Sequence, residues 1–174
     1  IWGSAVDGLS NCMLQKVRSI AGTATRCQVM GRSLTIDLAL TEGRRGGDPY
    51  LQVAAQPIYL WARAVWAGKP SLAKLQLALL HNQTLFKHVR SPWSCIKGPA
   101  GVFLLSLRRV GWRAESARVI IDGDGRKLDL LRQSPAAVRV LALRAANQVL
   151  MRNVARTSAY AGAVGTRYLP VHLS

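Results

Sequence analysis

The chain has 174 residues, and 24 lysines and arginines against 8 aspartates and glutamates give it a formal net charge of +16. Its length predicts one domain, and a composition with 49% apolar residues excludes a wholly disordered chain. No run of the sequence approaches the roughly 20 apolar residues that cross a bilayer. The composition therefore predicts a folded, strongly basic domain without a membrane span.

The first residue is Ile1, and no charged segment precedes an apolar one, so we expect a segment of a longer protein rather than a natural start. The cysteines Cys12, Cys27 and Cys95 are odd in number and include no C-x-x-C pair, which favours a reducing compartment inside the cell, nucleus or cytoplasm. The histidines have no further ligands at metal-binding spacing. We expect no metal or other cofactor on this segment.

The predicted elements begin with a short helix over residues 10–22, capped by a serine and stopped by a glycine. Residues 31–40 alternate like a strand but have helix-capping neighbours, and we favour a helix there. Asp48 followed by Pro49 predicts the start of a third helix. Pro57 is predicted to break or kink that helix, because it lacks an amide donor and collides with the preceding turn.

Two further helices are predicted from Ser71 toward Arg90 and from Gly98 to Gly111. Apolar residues at helical spacing mark the faces that are expected to enter the core. Those beyond Pro57 are Ile58, Trp61, Ala62, Val65, Trp66, Leu72, Leu75, Leu79, Leu80, Phe86, Val102, Phe103, Leu105, Leu107 and Val110. Trp93 and Trp112 are expected to pack under loops rather than stack on a base.

A small β-hairpin is predicted around residues 118–131, where two apolar runs flank the turn Gly123-Asp124-Gly125. Ser134 then caps a last helix that runs to about Arg156. Together these signals predict a mainly α fold of about six amphipathic helices and one hairpin. The helical domain is expected at 1–157, and a loose glycine-rich tail at 158–174.

Most of the basic residues are arginines, whose planar fork grips phosphate and stacks on bases. This favours nucleic acid as the partner, although an arginine-rich composition that reflects codon bias is an alternative. The arginines cluster, which favours genuine contact with a polyanion. The predicted nucleic-acid contacts are Arg108, Arg109, Arg113, Arg139 and Arg144.

Catalytic chemistry is not evident on this segment. Asp122 and Asp124 begin like a calcium loop, but Arg126 and Gln133 stand where further oxygen ligands belong. No converging set of carboxylates suits a two-metal mechanism, and neither a Walker loop nor a nucleophile elbow is present. We therefore predict no catalytic site here.

Several short sequence motifs nevertheless occur in an order that is typical of one protein family. The opening from Trp2 to Ser10 resembles the "YGa-x-v-x-G-l-s" motif at the start of a polymerase thumb domain, with Trp2 in place of tyrosine. Leu14, Val17 and Arg18 resemble the "L-x-x-l-R" helix that follows this motif. Downstream, Gly98-Pro99-Ala100 through Arg109-Val110-Gly111-Trp112 resembles a "GP" helix and an "R-x-GW" turn, with a hairpin and Ser134-Pro135 after it. In this order they resemble the region after the polymerase core in reverse transcriptases of non-LTR retrotransposons, of the dinoflagellate type.

The resemblance implies a thumb and post-polymerase domain that holds template RNA or an RNA–DNA hybrid. The parent protein would be an RNA-directed DNA polymerase whose palm lies upstream of Ile1, in the same chain. No Asp-Asp pair occurs in this sequence, so no catalytic residue carries over. Two alternatives remain: a stand-alone basic RNA-binding or ribosome-associated protein, and a decayed element fragment without independent function. A basic membrane-surface protein is disfavoured because Arg108 and Arg109 end the most apolar helix instead of lining one face.

Overall fold

The computed structural model describes residues 8–24, 48–96 and 98–155. The described residues form five α-helices, a single 3-10 turn at Pro92–Ser94 and three short strands. The helices are α1 (Asn11–Ala24), α2 (Pro49–Ala67), α3 (Leu72–Lys87), α4 (Gly98–Arg109) and α5 (Pro135–Ala155), and the strands are β1 (Arg113–Ala114), β2 (Val119–Ile121) and β3 (Lys127–Asp129). The mainly α fold with a small antiparallel element is confirmed. The helix predicted at 31–40 and the tail predicted at 158–174 lie outside the described residues.

Helix caps are where the sequence predicted them. The Asp48 carboxylate accepts a hydrogen bond from the Tyr50 amide at 2.9 Å, and the hydroxyl of Ser134 accepts one from the Ala137 amide at 3.2 Å. Gly111 has a φ of 74°, a conformation that favours glycine. Its amide donates to the Arg108 carbonyl at 3.2 Å, and the next amide, of Trp112, donates to the Leu107 carbonyl at 2.8 Å. This pair of bonds is a Schellman motif, which ends α4.

The predicted break at Pro57 and the predicted stop at Gly22 are wrong, while a kink at Pro57 stays a prediction. Pro57 is buried inside α2, which runs unbroken to Ala67, and α1 passes through the buried Gly22 to Ala24. A proline inside a helix forfeits one amide hydrogen bond. In α2 that loss is offset by the apolar face on either side of it, which is buried against α4 and α5.

The core lies where α2 packs against α5 and α4, and where α4 packs against α3. Trp61 stacks on Phe103 with ring centroids 4.5 Å apart, and its indole N–H donates to the Ala117 carbonyl at 2.9 Å. That bond joins α2 to the connection between β1 and β2. Two polar side chains are also buried, Asn82 on α3 and Ser106 on α4.

Three of the predicted core residues are exposed: Trp66 is 50% exposed, Leu72 is 40% exposed and Leu80 is 48% exposed. Trp66 and Leu80 each follow a residue that is buried in the core. Since consecutive helical residues point about 100° apart, the second apolar side chain leaves the contact when the partner helix covers only one side.

The predicted hairpin is confirmed, with Ile120 of β2 opposite Leu128 of β3. The carboxylate of Asp122 accepts backbone hydrogen bonds from Asp124 at 3.0 Å and from Arg126 at 2.8 Å, so it shapes the turn. The sequence missed β1, a two-residue strand that pairs antiparallel with β2.

An ion pair joins α1 to the start of α2. The Arg18 guanidinium donates to Asp48 from Nε at 3.0 Å and from Nη2 at 2.7 Å, and both side chains are buried. This bidentate geometry satisfies a pair of charges that burial would otherwise penalise. Within the part of the chain that the structure describes, no helix is long and apolar enough to span a bilayer.

Candidate nucleic-acid interface

None of the five described helices contains an aspartate or a glutamate. Among the described residues, four of the carboxylates lie on or beside the sheet, and Asp48 forms an ion pair with Arg18. The helices carry the basic residues Lys16, Arg18, Arg63, Lys74, Lys87, Arg108, Arg109, Arg139, Arg144 and Arg152. Since no acidic side chain on the helices offsets them, the helical surface presents a positive field that attracts polyanions.

A groove of about 430 Å³ lies between α3, the end of α4 and β1. We call it the α3–α4 groove. Its basic side chains are Lys87, Arg108 and Arg113, all exposed, and its floor includes Phe86 and Trp112, both buried. None of the three cations forms an ion pair with a described carboxylate. The groove therefore combines available cationic groups with an apolar floor.

The predicted contacts Arg108 and Arg109 have different surroundings. The Cζ of Arg108 lies 5.6 Å from the Phe86 ring centroid, and the side chain is exposed. Arg109 is half-buried with its Cζ 4.0 Å above the Trp93 ring. It donates to the Leu9 carbonyl, and to Asn11 Oδ1 at 3.1 Å.

Burial lowers the pKa of Arg109 to about 10, so the side chain stays charged at neutral pH. The Tyr50 hydroxyl donates to the Arg109 carbonyl at 3.0 Å, and burial raises the pKa of Tyr50. Through its hydrogen bonds to Leu9 and Asn11, the guanidinium of Arg109 connects α4 to the start of α1. This guanidinium lies over Trp93, and a Cβ added to Gly8 would be only 3.1 Å from the Trp93 ring. Trp93 is therefore a packed ring, as the sequence predicted.

Arg139 lies half-buried on α5, at the edge of the contact with α2. Its Cζ is 5.7 Å from the Tyr59 ring centroid, and its Nη2 donates to Gln52 Oε1 at 3.3 Å. The Cζ of Arg63 lies 5.8 Å from the same ring. Sequence reasoning missed Arg63, although its spacing of four residues from Tyr59 puts both on one helix face.

Arg144 lies in a second groove of about 300 Å³ between α5 and the hairpin. Arg126 and Arg152 are in the same groove, but so are Asp122 and Asp124. The two carboxylates partly cancel the attraction of this groove for an anion.

The five predicted arginines therefore occupy four settings. Arg108 and Arg113 share the α3–α4 groove, Arg139 lies on the α2–α5 edge, Arg144 lies in the mixed-charge groove, and Arg109 holds α1 to α4. The sequence also missed Lys87, which joins the first pair only through the packing of α3 on α4. Within the described ranges, no group of three His, Cys, Asp or Glu side chains could hold a metal ion.

Comparison of the chain with protein-family models, with curated proteins and with solved structures gives no match.

Proposed function

We propose that this chain binds nucleic acid through phosphate contacts centred on the α3–α4 groove, with RNA or an RNA–DNA hybrid as its ligand. The observation that carries the proposal is the set of Lys87, Arg108 and Arg113 along one groove, between helices that have no carboxylate. An isolated arginine on a surface is commonplace. Three cations on one groove, none of them in an ion pair with a described carboxylate, are an arrangement that suits a phosphate backbone.

The position of Arg108 also favours a specific phosphate contact over attraction by net charge alone. The Cζ of Arg108 lies 5.6 Å from the Phe86 ring centroid, a cation–π contact that holds the guanidinium near the groove. Such a fork can bind two phosphate oxygens at once.

The resemblance to the post-polymerase region of non-LTR reverse transcriptases supports a more specific role. In that role the domain is the thumb and following part of an RNA-directed DNA polymerase, and it holds template RNA or hybrid for a palm in the same parent chain. The coding sequence upstream tests this directly. An Asp-Asp palm motif in frame supports it, and an unrelated upstream sequence contradicts it.

The binding proposal is tested by competition among single-stranded RNA, duplex DNA and an RNA–DNA hybrid at one ionic strength. We expect RNA or hybrid to bind more tightly than duplex DNA, and Arg108→Gln with Arg113→Gln to weaken binding by about tenfold or more. The control is Arg132→Gln, which removes one unit charge beside Asp129 from a side chain that is 85% exposed, and its charge-matched comparisons are the single variants Arg108→Gln and Arg113→Gln. Equal affinity of the double variant and the control would contradict the proposal.

A further inference from the structure

Two guanidinium groups share one aromatic ring at the edge of the α2–α5 contact. The Cζ atoms of Arg63 and Arg139 lie 5.8 Å and 5.7 Å from the Tyr59 ring centroid. Tyr59 and Arg63 are four residues apart on α2, and Gln52 stands seven residues before Tyr59, on the same face. Arg139 approaches this face from α5.

This arrangement lacks a balancing negative charge. Neither arginine forms an ion pair with a described carboxylate, and no helix around them carries an acidic residue. The ring face attracts both cations. An anion in contact with both guanidinium groups would supply the balancing charge.

The donors are partly set in place already. Gln52 Oε1 accepts from Arg139 Nη2 at 3.3 Å, which limits the rotation of that guanidinium. Arg139 Nε is buried and has no acceptor among the described residues. Arg63 is exposed and lies near the Tyr59 ring, and its guanidinium forms no hydrogen bond or ion pair with a described residue.

We propose that Arg63 and Arg139, oriented by Tyr59 and Gln52, form a binding site for a phosphate group. A carboxylate presents two oxygens and suits one guanidinium fork, whereas a phosphate presents enough oxygens for two forks that approach from different helices. The site goes beyond the proposed function because it is built on α2 and α5 and uses no residue of the α3–α4 groove. The phosphate comes either from a nucleic-acid backbone or from a free phosphate-bearing molecule.

The test follows the Nε–Hε signals of the arginine side chains by NMR during titration with inorganic pyrophosphate, and separately with single-stranded RNA. Arg63→Gln is the informative variant, because the exposed side chain can change without disturbing the core. We expect pyrophosphate to shift the signal of Arg139 in the wild-type chain, and the affinity to fall roughly fivefold or more in Arg63→Gln. Arg63→Lys keeps the charge without the fork and should recover only part of this affinity, while Arg132→Gln should bind pyrophosphate like the wild type.

If Arg63→Gln weakens both pyrophosphate and RNA, the site holds a backbone phosphate. If it weakens pyrophosphate alone, the site holds a free phosphate group. Pyrophosphate binding that is unchanged in Arg63→Gln, or absent from the wild type, overturns the proposal. These outcomes are independent of the α3–α4 groove, because Arg108→Gln with Arg113→Gln should leave the pyrophosphate-induced shift of Arg139 unchanged.

Discussion

Arg108 and Arg109 are adjacent in the chain, yet only Arg109 is tied into the protein. Arg109 lies on Trp93 and donates to Leu9 and Asn11, whereas Arg108 is exposed over Phe86. In the sequence the two arginines look equivalent, because both lie at the C-terminal end of a helix, where a positive charge interacts favourably with the helix dipole. Their different roles depend on the position of α1, which no local pattern encodes.

Substitution should separate these roles. We expect Arg109→Ala to lower the free energy of unfolding by about 2–3 kcal/mol, because it removes hydrogen bonds from a charged group and a ring contact. Arg108→Ala should change that free energy by less than about 0.5 kcal/mol while it weakens RNA binding. Urea denaturation of both variants measures the difference, and equal loss of stability in the two would show that Arg109 does not fasten α1.

At the scale of elements, the close approach of α3 and α4 gives the α3–α4 groove its shape. The two helices meet at Gly101, where an added Cβ would lie 2.8 Å from Asn82 Oδ1. That oxygen has no hydrogen-bond donor among the described residues, while Asn82 Nδ2 donates to the Ala78 carbonyl at 2.9 Å. Glycine at this position therefore sets the distance between α3 and α4.

We expect Gly101→Ala to destabilise the protein by about 1–3 kcal/mol, because the new methyl group forces a shift in a packed contact. Asn82→Ala in the same chain removes the clashing oxygen and should restore part of the loss. Thermal unfolding of the two single variants and the double variant gives the coupling energy. Strict additivity would mean that the two residues do not meet.

The hairpin offers a prediction in pH. Hydrogen bonds from Arg118, with Nε at 2.8 Å, and from the Leu131 amide lower the pKa of Asp129 from 3.8 to about 2. A carboxyl group whose pKa is lower in the folded state stabilises the fold above its unfolded pKa, and this contribution disappears as the pH falls through the folded pKa.

Asp129→Asn should therefore be less stable than the wild type at pH 6, and the difference should shrink between about pH 4 and pH 2. Denaturation midpoints of both chains across this range measure it. A difference that stays constant down to pH 2 would show that the charge of Asp129 contributes nothing.

The sequence predicts the elements better than it predicts their surroundings. Caps such as Asp48 and Ser134, the glycine at Gly111 and the hairpin turn are local, and all four are as predicted. The exposure of Trp66 depends instead on which side of a helix is covered by a partner. The candidate interface shares this dependence, because its basic residues come from separate elements that only the tertiary packing brings together.

For the molecule as a whole, the charge is distributed by element. The described helices carry basic residues and no carboxylate, and most of the described carboxylates lie on or beside the sheet, where Asp129 pairs with Arg118 and Arg132, and Glu115 pairs with Lys127. The net charge of +16 alone predicts attraction to any polyanion. The placement of this positive charge on helices that border the α3–α4 groove supports a more specific proposal, that a phosphate backbone binds in this groove.

The salt dependence of RNA binding tests this claim most directly. Each phosphate that a cation neutralises contributes about 0.7 to the magnitude of the slope of log affinity against log salt for a single strand. We predict a steep slope for the wild type, a slope smaller by roughly 0.7 for each of the two charges removed in Arg108→Gln with Arg113→Gln, and no change in Arg132→Gln. A slope that is the same in all three chains would contradict a phosphate site at the α3–α4 groove.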